Sequence, residues 1–210
     1  MAELLRNPIQ PYVWGSRTVL AHVQGRPWPT AGPEAELWIG AHSAAPSTVL
    51  RGRAHRSLDE VIAADPAAEL GVAAAARFGP RLPFLAKLLA IERPLSIQVH
   101  PDDAQAAAGY AAQRAAPAAE PTYTDRFGKP ELVVTRTLFE LLSGVRPVAE
   151  AAAALSRLGI GELDRLVATL TDQGSMRGVF SRLLRHENAA DLIERVVLAC
   201  DRAAQLQEAQ

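Results

Sequence analysis

The sequence predicts a mainly-β domain followed by a small all-α module, and two observations carry this prediction. Up to Pro147, Pro and Gly interrupt the chain at short intervals and leave brief apolar runs between them, a pattern typical of many short strands. Beyond Pro147, apolar residues recur every three or four positions, which is the spacing of amphipathic helices. We therefore expect a β domain over residues 1–147 and a helical module over residues 148–210.

Six apolar runs of the first domain are predicted to be strands. They lie at 36–39, 48–50, 84–91, 95–100, 132–135 and 139–145. Two helices are expected between them. One begins at Ser57, whose side chain is followed three residues later by Glu60 as in a capping box. The other spans roughly 102–114, where Pro101 and Asp102 supply the signals of a helix start.

Four helices are predicted in the second domain, at 151–158, 162–171, 175–186 and 189–207. Asn188 and Asp191 are expected to cap the last of them. Its apolar stripe is predicted to be buried and consists of Leu192, Ile193, Val196, Val197 and Cys200. Cys200 is therefore interpreted as a core residue rather than a nucleophile.

Composition and charge exclude several classes of protein. The 22 basic and 23 acidic residues nearly cancel, and no basic cluster exceeds Arg51, Arg53 and Arg56, so nucleic acid is not an expected partner. A single cysteine excludes a disulfide framework and fits a reducing compartment. No apolar run is long enough for a membrane span, and residues 1–15 lack the apolar stretch of a signal peptide. We expect a soluble, cytoplasmic protein without a membrane partner.

The run 95–101 is the most informative part of the chain. If it is a strand, its side chains alternate, so Ser96, Gln98 and His100 share one face while Ile97 and Val99 pack on the other. The flanking sequence is strongly apolar, which favours a cavity lining over a solvated face for the polar row. Gln98 and His100, two residues apart, can reach one metal ion.

A second feature is Lys129-Pro130-Glu131, which precedes an apolar run. Alone it would be an ordinary surface pair of charges. Combined with Gln98 and His100, the carboxylate of Glu131 becomes a third candidate metal ligand with a cation beside it.

Four stretches of the chain resemble the type I mannose-6-phosphate isomerases, also called phosphomannose isomerases. They are QPYVWG at 10–15, AELWIGAH at 35–42, LPFLAKLLAIERPLSIQVHPDD at 82–103 and KPEL at 129–132. Their order and approximate spacing match the family over residues 7–147. Ser-Ile-Gln-Val-His-Pro followed some thirty residues later by Lys-Pro-Glu is the specific part of this resemblance.

The resemblance implies a zinc-dependent aldose–ketose isomerase on a cupin-type jelly roll, acting on a small-molecule sugar phosphate. Its reaction would interconvert mannose 6-phosphate and fructose 6-phosphate. The implied zinc ligands are Gln98, His100 and Glu131, and the implied active-site lysine is Lys129. Ser96 is expected near the phosphorylated sugar, and Trp14 and Glu36 match positions that line the pocket.

The sequence also departs from the family pattern. Phe127-Gly128 stands where members commonly have Asn-His before Lys-Pro-Glu, and Ser43 stands where a proline is usual. The family is longer, and a second cupin portion carries its fourth zinc ligand and a catalytic arginine, so the chain resembles the N-terminal portion. We expect exposed sheet edges that favour self-association. Candidates for a substitute ligand are His22, His42, His55 and His186, of which His42 belongs to a matched motif.

Three other functions are weighed against the isomerase. The first alternative is a non-catalytic cupin that binds a metal and a sugar phosphate. A cupin oxidoreductase or epimerase would be expected to carry several histidine ligands, which this chain lacks. A helical adaptor would account only for the last third of the chain and leave Gln98, His100 and Glu131 unexplained.

Overall fold

The structure is a computed structural model that describes residues 3–116, 121–185 and 189–208. The chain divides into two compact units, Met1–Glu131 and Leu132–Gln210. The predicted domain boundary after Pro147 lies further along the chain and stays a prediction.

The first unit contains two antiparallel sheets of three short strands each. Its strands are β1 (Leu5–Arg6), β2 (Ile9–Gln10), β3 (Glu36–Gly40), β4 (Thr48–Arg51), β5 (Ala54–Ser57) and β6 (Leu85–Leu89). One sheet has the order β1-β4-β5 and the other has the order β2-β3-β6. Its helices are α1 (Val19–Val23), α2 (Leu58–Ala64), α3 (Pro66–Leu70), α4 (Val72–Phe78) and α5 (Asp103–Ala115).

The register between β3 and β6 decides which residues face the site. Trp38 lies opposite Lys87, and Leu37 lies opposite Leu88. Because neighbouring residues of a strand point to opposite faces, Trp38 and Lys87 share one face of the sheet and Leu37 points to the other. Leu37 is buried there in a core that also contains Leu20 and Ala90.

Gly15 fixes the chain close to the start of β3. A Cβ atom at this position would lie 2.5 Å from the Cα atom of Ala35, so only glycine fits. This close approach explains why the matched stretch at 10–15 ends in glycine.

In the second unit, the described residues from Val148 onward form helices and the turns that connect them. It comprises α6 (Val148–Arg157), a 3₁₀ turn (Gly161–Leu163), α7 (Asp164–Gln173), α8 (Met176–Leu183) and α9 (Ala189–Glu208). Its core is apolar and consists of Ala152, Ile160, Leu163, Leu166, Leu170, Val179, Leu192 and Ala199. The predicted helical module is confirmed in this part. Among the described residues, no helix combines the length and apolar character that a membrane crossing requires.

The predicted stripe of α9 is partly wrong. Leu192 is buried and Val196 packs against the core, but Ile193, Val197 and Cys200 are exposed. The physical reason is that the buried face follows positions 192, 196 and 199, a narrower stripe than the apolar pattern suggests. The proposed cap residue Asn188 lies outside the described residues.

The prediction of a mainly-β class is not confirmed, because the described residues form two small sheets and nine α-helices. The runs at 36–39, 48–50 and 84–91 are confirmed as β3, β4 and β6. Those at 95–100, 132–135 and 139–145 form no strand within the described residues. A strand needs a neighbouring backbone to pair with, and these runs leave Val99, Leu132 and Leu142 at 92%, 90% and 89% exposure.

Candidate functional site

The carboxylate of Glu131 is the centre of a small cluster of charged side chains. Its Oε2 atom lies 3.2 Å from Nε2 of His100. Its Oε1 atom lies 3.5 Å from Nζ of Lys87 and 3.5 Å from Nζ of Lys129. One carboxylate therefore contacts an imidazole through one oxygen and two ammonium groups through the other.

Backbone contacts bring the segment of His100 next to the segment of Glu131. The amide of Lys129 donates a hydrogen bond to the carbonyl of Pro101, at 3.0 Å. Immediately after Pro101, α5 begins with a capping box in which Asp102 and Gln105 satisfy each other's backbone amides. The helix start thus fixes the chain just beyond His100, and the Lys129–Pro101 bond ties the second segment to it.

Lys87 connects this cluster to Glu36. Nζ of Lys87 lies 3.8 Å from Oε2 of Glu36, and the indole Nε1–H of Trp38 donates to the same oxygen at 2.6 Å. Nζ also lies 5.9 Å from the centroid of the Trp38 ring, within cation–π range. Because Glu36 is only 7% exposed, its carboxylate has lost most of its hydration, and the Trp38 indole and the Lys87 ammonium group compensate for that loss.

The pKa of Glu131 reflects two opposing influences. Burial alone would raise the pKa of its carboxyl, but the positive charges of Lys87 and Lys129, followed by the electrostatic influence of the His100 ring, outweigh burial. The net pKa of Glu131 lies below its ordinary value. The carboxylate is therefore held ionised, which is the form that binds a metal ion.

The other site residues predicted from the sequence are less closely associated with the cluster around Glu131. Ser96 and Gln98 are exposed, and neither side chain forms a hydrogen bond with the described residues. Trp14 stacks on Tyr12 with ring centroids 5.7 Å apart, and its carbonyl accepts the amides of Glu92 and Arg93. The structure thus brings together His100, Lys129 and Glu131, with Glu36 reached through Lys87. The predicted roles of Gln98, Ser96 and Trp14 stay predictions.

Sequence reasoning missed Lys87 and the bond between Trp38 and Glu36. A signal for Lys87 was available, because the chain has only two lysines among its 22 basic residues. Both lie in stretches that match the family, and both contact Glu131. The Trp38–Glu36 bond has no comparable signal, since it depends on side-chain geometry.

None of the three candidate substitute ligands within the described residues joins the cluster. Nδ1 of His42 accepts the amide of Ala44, and its ring lies edge-on to Trp38 with centroids 5.0 Å apart. His22, which lies in α1, packs edge-on against the ring of Trp28. His55 is exposed in β5. His186 lies outside the described residues.

The geometry of His100 and Glu131 fits two ligands of one zinc ion. Ligands about 2.1 Å from a tetrahedral zinc lie roughly 3.4 Å apart, close to the 3.2 Å between Nε2 of His100 and Oε2 of Glu131. The part of the chain that the structure describes holds no group of three or more His, Cys, Asp or Glu side chains suited to a metal ion. A third ligand from these residue types is therefore not found there, and the amide of Gln98 stays a predicted ligand.

Comparisons with known proteins identify the relatives of this chain. A family model described as phosphomannose isomerase type I, catalytic domain, matches residues 3–148. Mannose-6-phosphate isomerase from Escherichia coli is 42% identical over 158 residues, covering 73% of this chain and 40% of that protein. The enzyme of that name from Salmonella typhimurium is 38% identical over 192 residues, covering 84% of this chain and 49% of that protein. The chain thus spans about half the length of these relatives, or less.

Solved structures give the same result. A mutant phosphomannose isomerase from Salmonella typhimurium matches with a TM-score of 0.79 and 32% identity, over 96% of this chain and 51% of that one. A mannose 6-phosphate isomerase bound with zinc and yttrium matches with a TM-score of 0.74 and 32% identity, over 96% and 52%. With the family model covering residues 3–148 of 210, the chain belongs to the type I phosphomannose isomerase family.

Proposed function

We propose that this chain supplies metal-binding and substrate-binding residues of a zinc-dependent isomerase that interconverts mannose 6-phosphate and fructose 6-phosphate. One observation carries the proposal: the carboxylate of Glu131 lies 3.2 Å from His100 and 3.5 Å from each of the two lysines of the chain. Family membership supplies the reaction and the substrate class. The cupin-type jelly roll belongs to the same proposal, supported by the structural neighbours.

The zinc ligands we propose are Gln98, His100 and Glu131. A neutral amide, a neutral imidazole and one carboxylate leave a bound zinc ion with net positive charge. When bound, zinc supplies Lewis-acid polarisation of the sugar oxygens. The lowered pKa of Glu131 extends the range in which its carboxylate is ionised toward lower pH.

The two lysines are proposed to act on the charge that the reaction develops. Moving a proton between C1 and C2 passes through a cis-enediol or enediolate, so negative charge appears on the sugar oxygens. Lys129 is assigned to stabilise that charge or to transfer protons between the oxygens, and Lys87 supplies a second cation. Lys129 is 53% exposed and Lys87 is 19% exposed, so Lys129 is the more accessible to an entering substrate.

The pocket around the lysines is proposed to include Trp14, Glu36 and Ser96. Glu36 is supported by its contacts with Lys87 and Trp38. Ser96 is assigned to the phosphate side because it lies two residues before Gln98 in an exposed stretch. A cytoplasmic location is also proposed, supported by the single cysteine of the chain.

Self-association is proposed through the run 95–100, which pairs with a second copy of the chain. Ile97 and Val99 are 84% and 92% exposed, and β-branched apolar residues favour strand pairing. Sedimentation at increasing concentration should show a dimer, and Val99→Lys should shift the equilibrium toward monomer. A monomer at every concentration contradicts this pairing.

The function is tested by calorimetric binding of mannose 6-phosphate and by its turnover, each with and without added zinc. Zinc-dependent turnover that is lost in Glu131→Gln supports the isomerase. Zinc-dependent binding without turnover favours the alternative of a non-catalytic metal- and sugar-phosphate-binding protein. A chain that neither binds nor converts the sugar phosphate in the presence of zinc contradicts both.

A further inference from the structure

A cation–π contact joins two distant parts of the first unit beside the site. Cζ of Arg81 lies 3.5 Å from the centroid of the Phe127 ring. Nε of Arg81 is shielded from solvent and has no hydrogen-bond partner among the described residues. A guanidinium group so placed is compensated by the negative face of the ring, and the attraction is stronger where water is excluded.

Each partner of this contact precedes a lysine of the site. Arg81 lies in the segment that leads into β6, the strand that carries Lys87. Phe127 lies two residues before Lys129 and four residues before Glu131. The contact therefore ties together the two segments that bring lysines to one carboxylate.

The two residues after Phe127 are also held by hydrogen bonds to Asp103 and Pro101. The amide of Gly128 donates to Oδ1 of Asp103 at 2.8 Å, and a Cβ atom at this position would lie 2.7 Å from the backbone nitrogen of Asp103. Glycine is thus required for the loop to lie against the start of α5. The next amide, that of Lys129, donates to the carbonyl of Pro101, which follows His100.

We propose that Arg81, acting through the ring of Phe127, is a positioning residue that holds Glu131 next to His100 in the geometry that binds zinc. Phe127 and Gly128 are two positions at which the sequence departs from the family pattern. In this chain a stacked ring and a close glycine contact take the place of polar side chains before Lys-Pro-Glu. The proposal rests on the proposed zinc site, which its test therefore examines separately.

Positioning and electrostatics predict opposite changes in zinc affinity. Removing the positive charge of Arg81 would by itself strengthen the binding of a cation. Loss of positioning weakens binding, typically by about 10–100-fold when an outer support of a metal ligand is removed. The sign of the change therefore distinguishes the two roles.

The test compares Arg81→Met and Phe127→Leu with two controls. Phe127→Tyr keeps an aromatic face and should behave as the wild type. Arg77→Met removes the guanidinium group that lies 4.9 Å from the Phe78 ring centroid in α4, a cation–π pair that includes none of the residues that contact Glu131. These controls separate the specific contact from a general loss of charge or packing.

Hydrogen exchange followed by nuclear magnetic resonance gives the readout that needs no metal. Arg81→Met and Phe127→Leu should accelerate exchange of the Gly128 and Lys129 amides by about tenfold, while the amides of β3 and β6 stay protected. A general destabilisation would instead accelerate all of them together. Unchanged exchange at Gly128 and Lys129 in both variants overturns the proposal.

Zinc affinity, measured by competition with a chromophoric chelator, gives the second readout. Both variants should bind zinc more weakly by about 10–100-fold, and Phe127→Tyr and Arg77→Met should not. Equal or tighter binding by Arg81→Met also overturns the positioning role. A wild-type chain that binds no zinc contradicts the proposed function instead, and the exchange rates then decide the positioning alone.

Discussion

Lys87 and Lys129 reach the same oxygen of Glu131, each at 3.5 Å. They are the only lysines in a chain whose other basic residues are arginines. Lysine differs from arginine in presenting a compact point charge that can exchange protons, whereas the guanidinium group stays protonated. The use of lysine at these two positions is therefore consistent with proton transfer and charge stabilisation at the site.

Because both lysines contact Glu131, their side-chain signals can report on metal binding at the site. After reductive methylation with carbon-13 formaldehyde, two lysine side-chain signals should appear in the carbon spectrum. Adding zinc should shift both signals, because the carboxylate that they contact becomes a metal ligand. In Glu131→Gln neither signal should shift. Wild-type lysine signals that do not change when zinc binds would show that the metal lies elsewhere.

The buried carboxylate of Glu36 predicts a cost for removing its indole donor. Trp38→Phe removes the hydrogen bond to the 7% exposed Glu36 and leaves only the Lys87 ammonium group 3.8 Å from that oxygen, so it should lower the free energy of unfolding by about 1–3 kcal/mol. Urea denaturation measures the change. The matched control is Trp28→Phe, because Trp28 is 57% exposed and should have a small effect. Equal losses in the two variants would show that the hydrogen bond to Glu36 contributes nothing specific.

At the residue scale, sequence reasoning predicted a shared site for His100, Lys129 and Glu131, and the structure places these three side chains next to one another. It missed Lys87 because the run 84–91 is an apolar strand in which one lysine resembles an ordinary surface position. The register places Lys87 opposite Trp38, and its contact with Glu131 shows that it faces the candidate site.

At the scale of elements, strands were predictable where a partner strand is present. The runs at 36–39 and 84–91 pair with each other as β3 and β6. The run at 95–100 has an equally strong strand pattern, yet it finds no partner in the part of the chain that the structure describes. Strand propensity depends on packing against neighbours, so a local pattern alone could not distinguish these cases.

The helical unit offers a direct test of its core. Leu170 of α7 is 1% exposed, and Leu170→Ala should lower the free energy of unfolding of this unit by about 2–5 kcal/mol through lost burial and a residual cavity. Leu184→Ala is the control, since Leu184 is 85% exposed. Thermal denaturation followed by circular dichroism compares them. A Leu170 variant as stable as the Leu184 variant would contradict the assigned core.

At the scale of the whole first unit, Arg51 connects the beginning of the chain to α3. Its guanidinium group donates to Glu3 through Nη2 at 2.7 Å and to Glu69 through both terminal nitrogens. Hydrogen bonds from Arg51 lower the pKa of both Glu3 and Glu69 in the folded chain. A carboxyl group with a lowered folded pKa stabilises the fold above its unfolded pKa, and this contribution disappears as the pH falls through the folded value.

Glu69→Gln should therefore lower the melting temperature near neutral pH, and the difference from the wild type should shrink at acidic pH. The difference is expected to be complete above the ordinary value of 4.5 and to fade below it as the wild-type carboxyl becomes protonated. Calorimetric melting at a series of pH values measures it. A difference that stays constant into the acidic range would mean that the ion pair with Arg51 is not its cause.

The division into a first part with strands and a helical second part was predictable for the whole molecule, because hydrophobic periodicity changes along the chain. The proportion of helix to strand in the first unit was not predictable, since alanine-rich segments such as α3 and α4 form helices there. A fourth zinc ligand could not be predicted either. His42 belongs to a matched motif, but its Nδ1 atom accepts a backbone amide and its ring packs on Trp38.

The central claim is that His100 and Glu131 bind zinc together. Zinc affinity and stoichiometry of the purified chain, measured by chelator competition with wild type, His100→Ala and Glu131→Gln, test it most directly. We expect one zinc ion per wild-type chain and a loss of at least about tenfold in affinity in each variant, because each removes a ligand. Wild-type affinity retained in both variants would contradict the claim and show that zinc, if bound, lies at other residues.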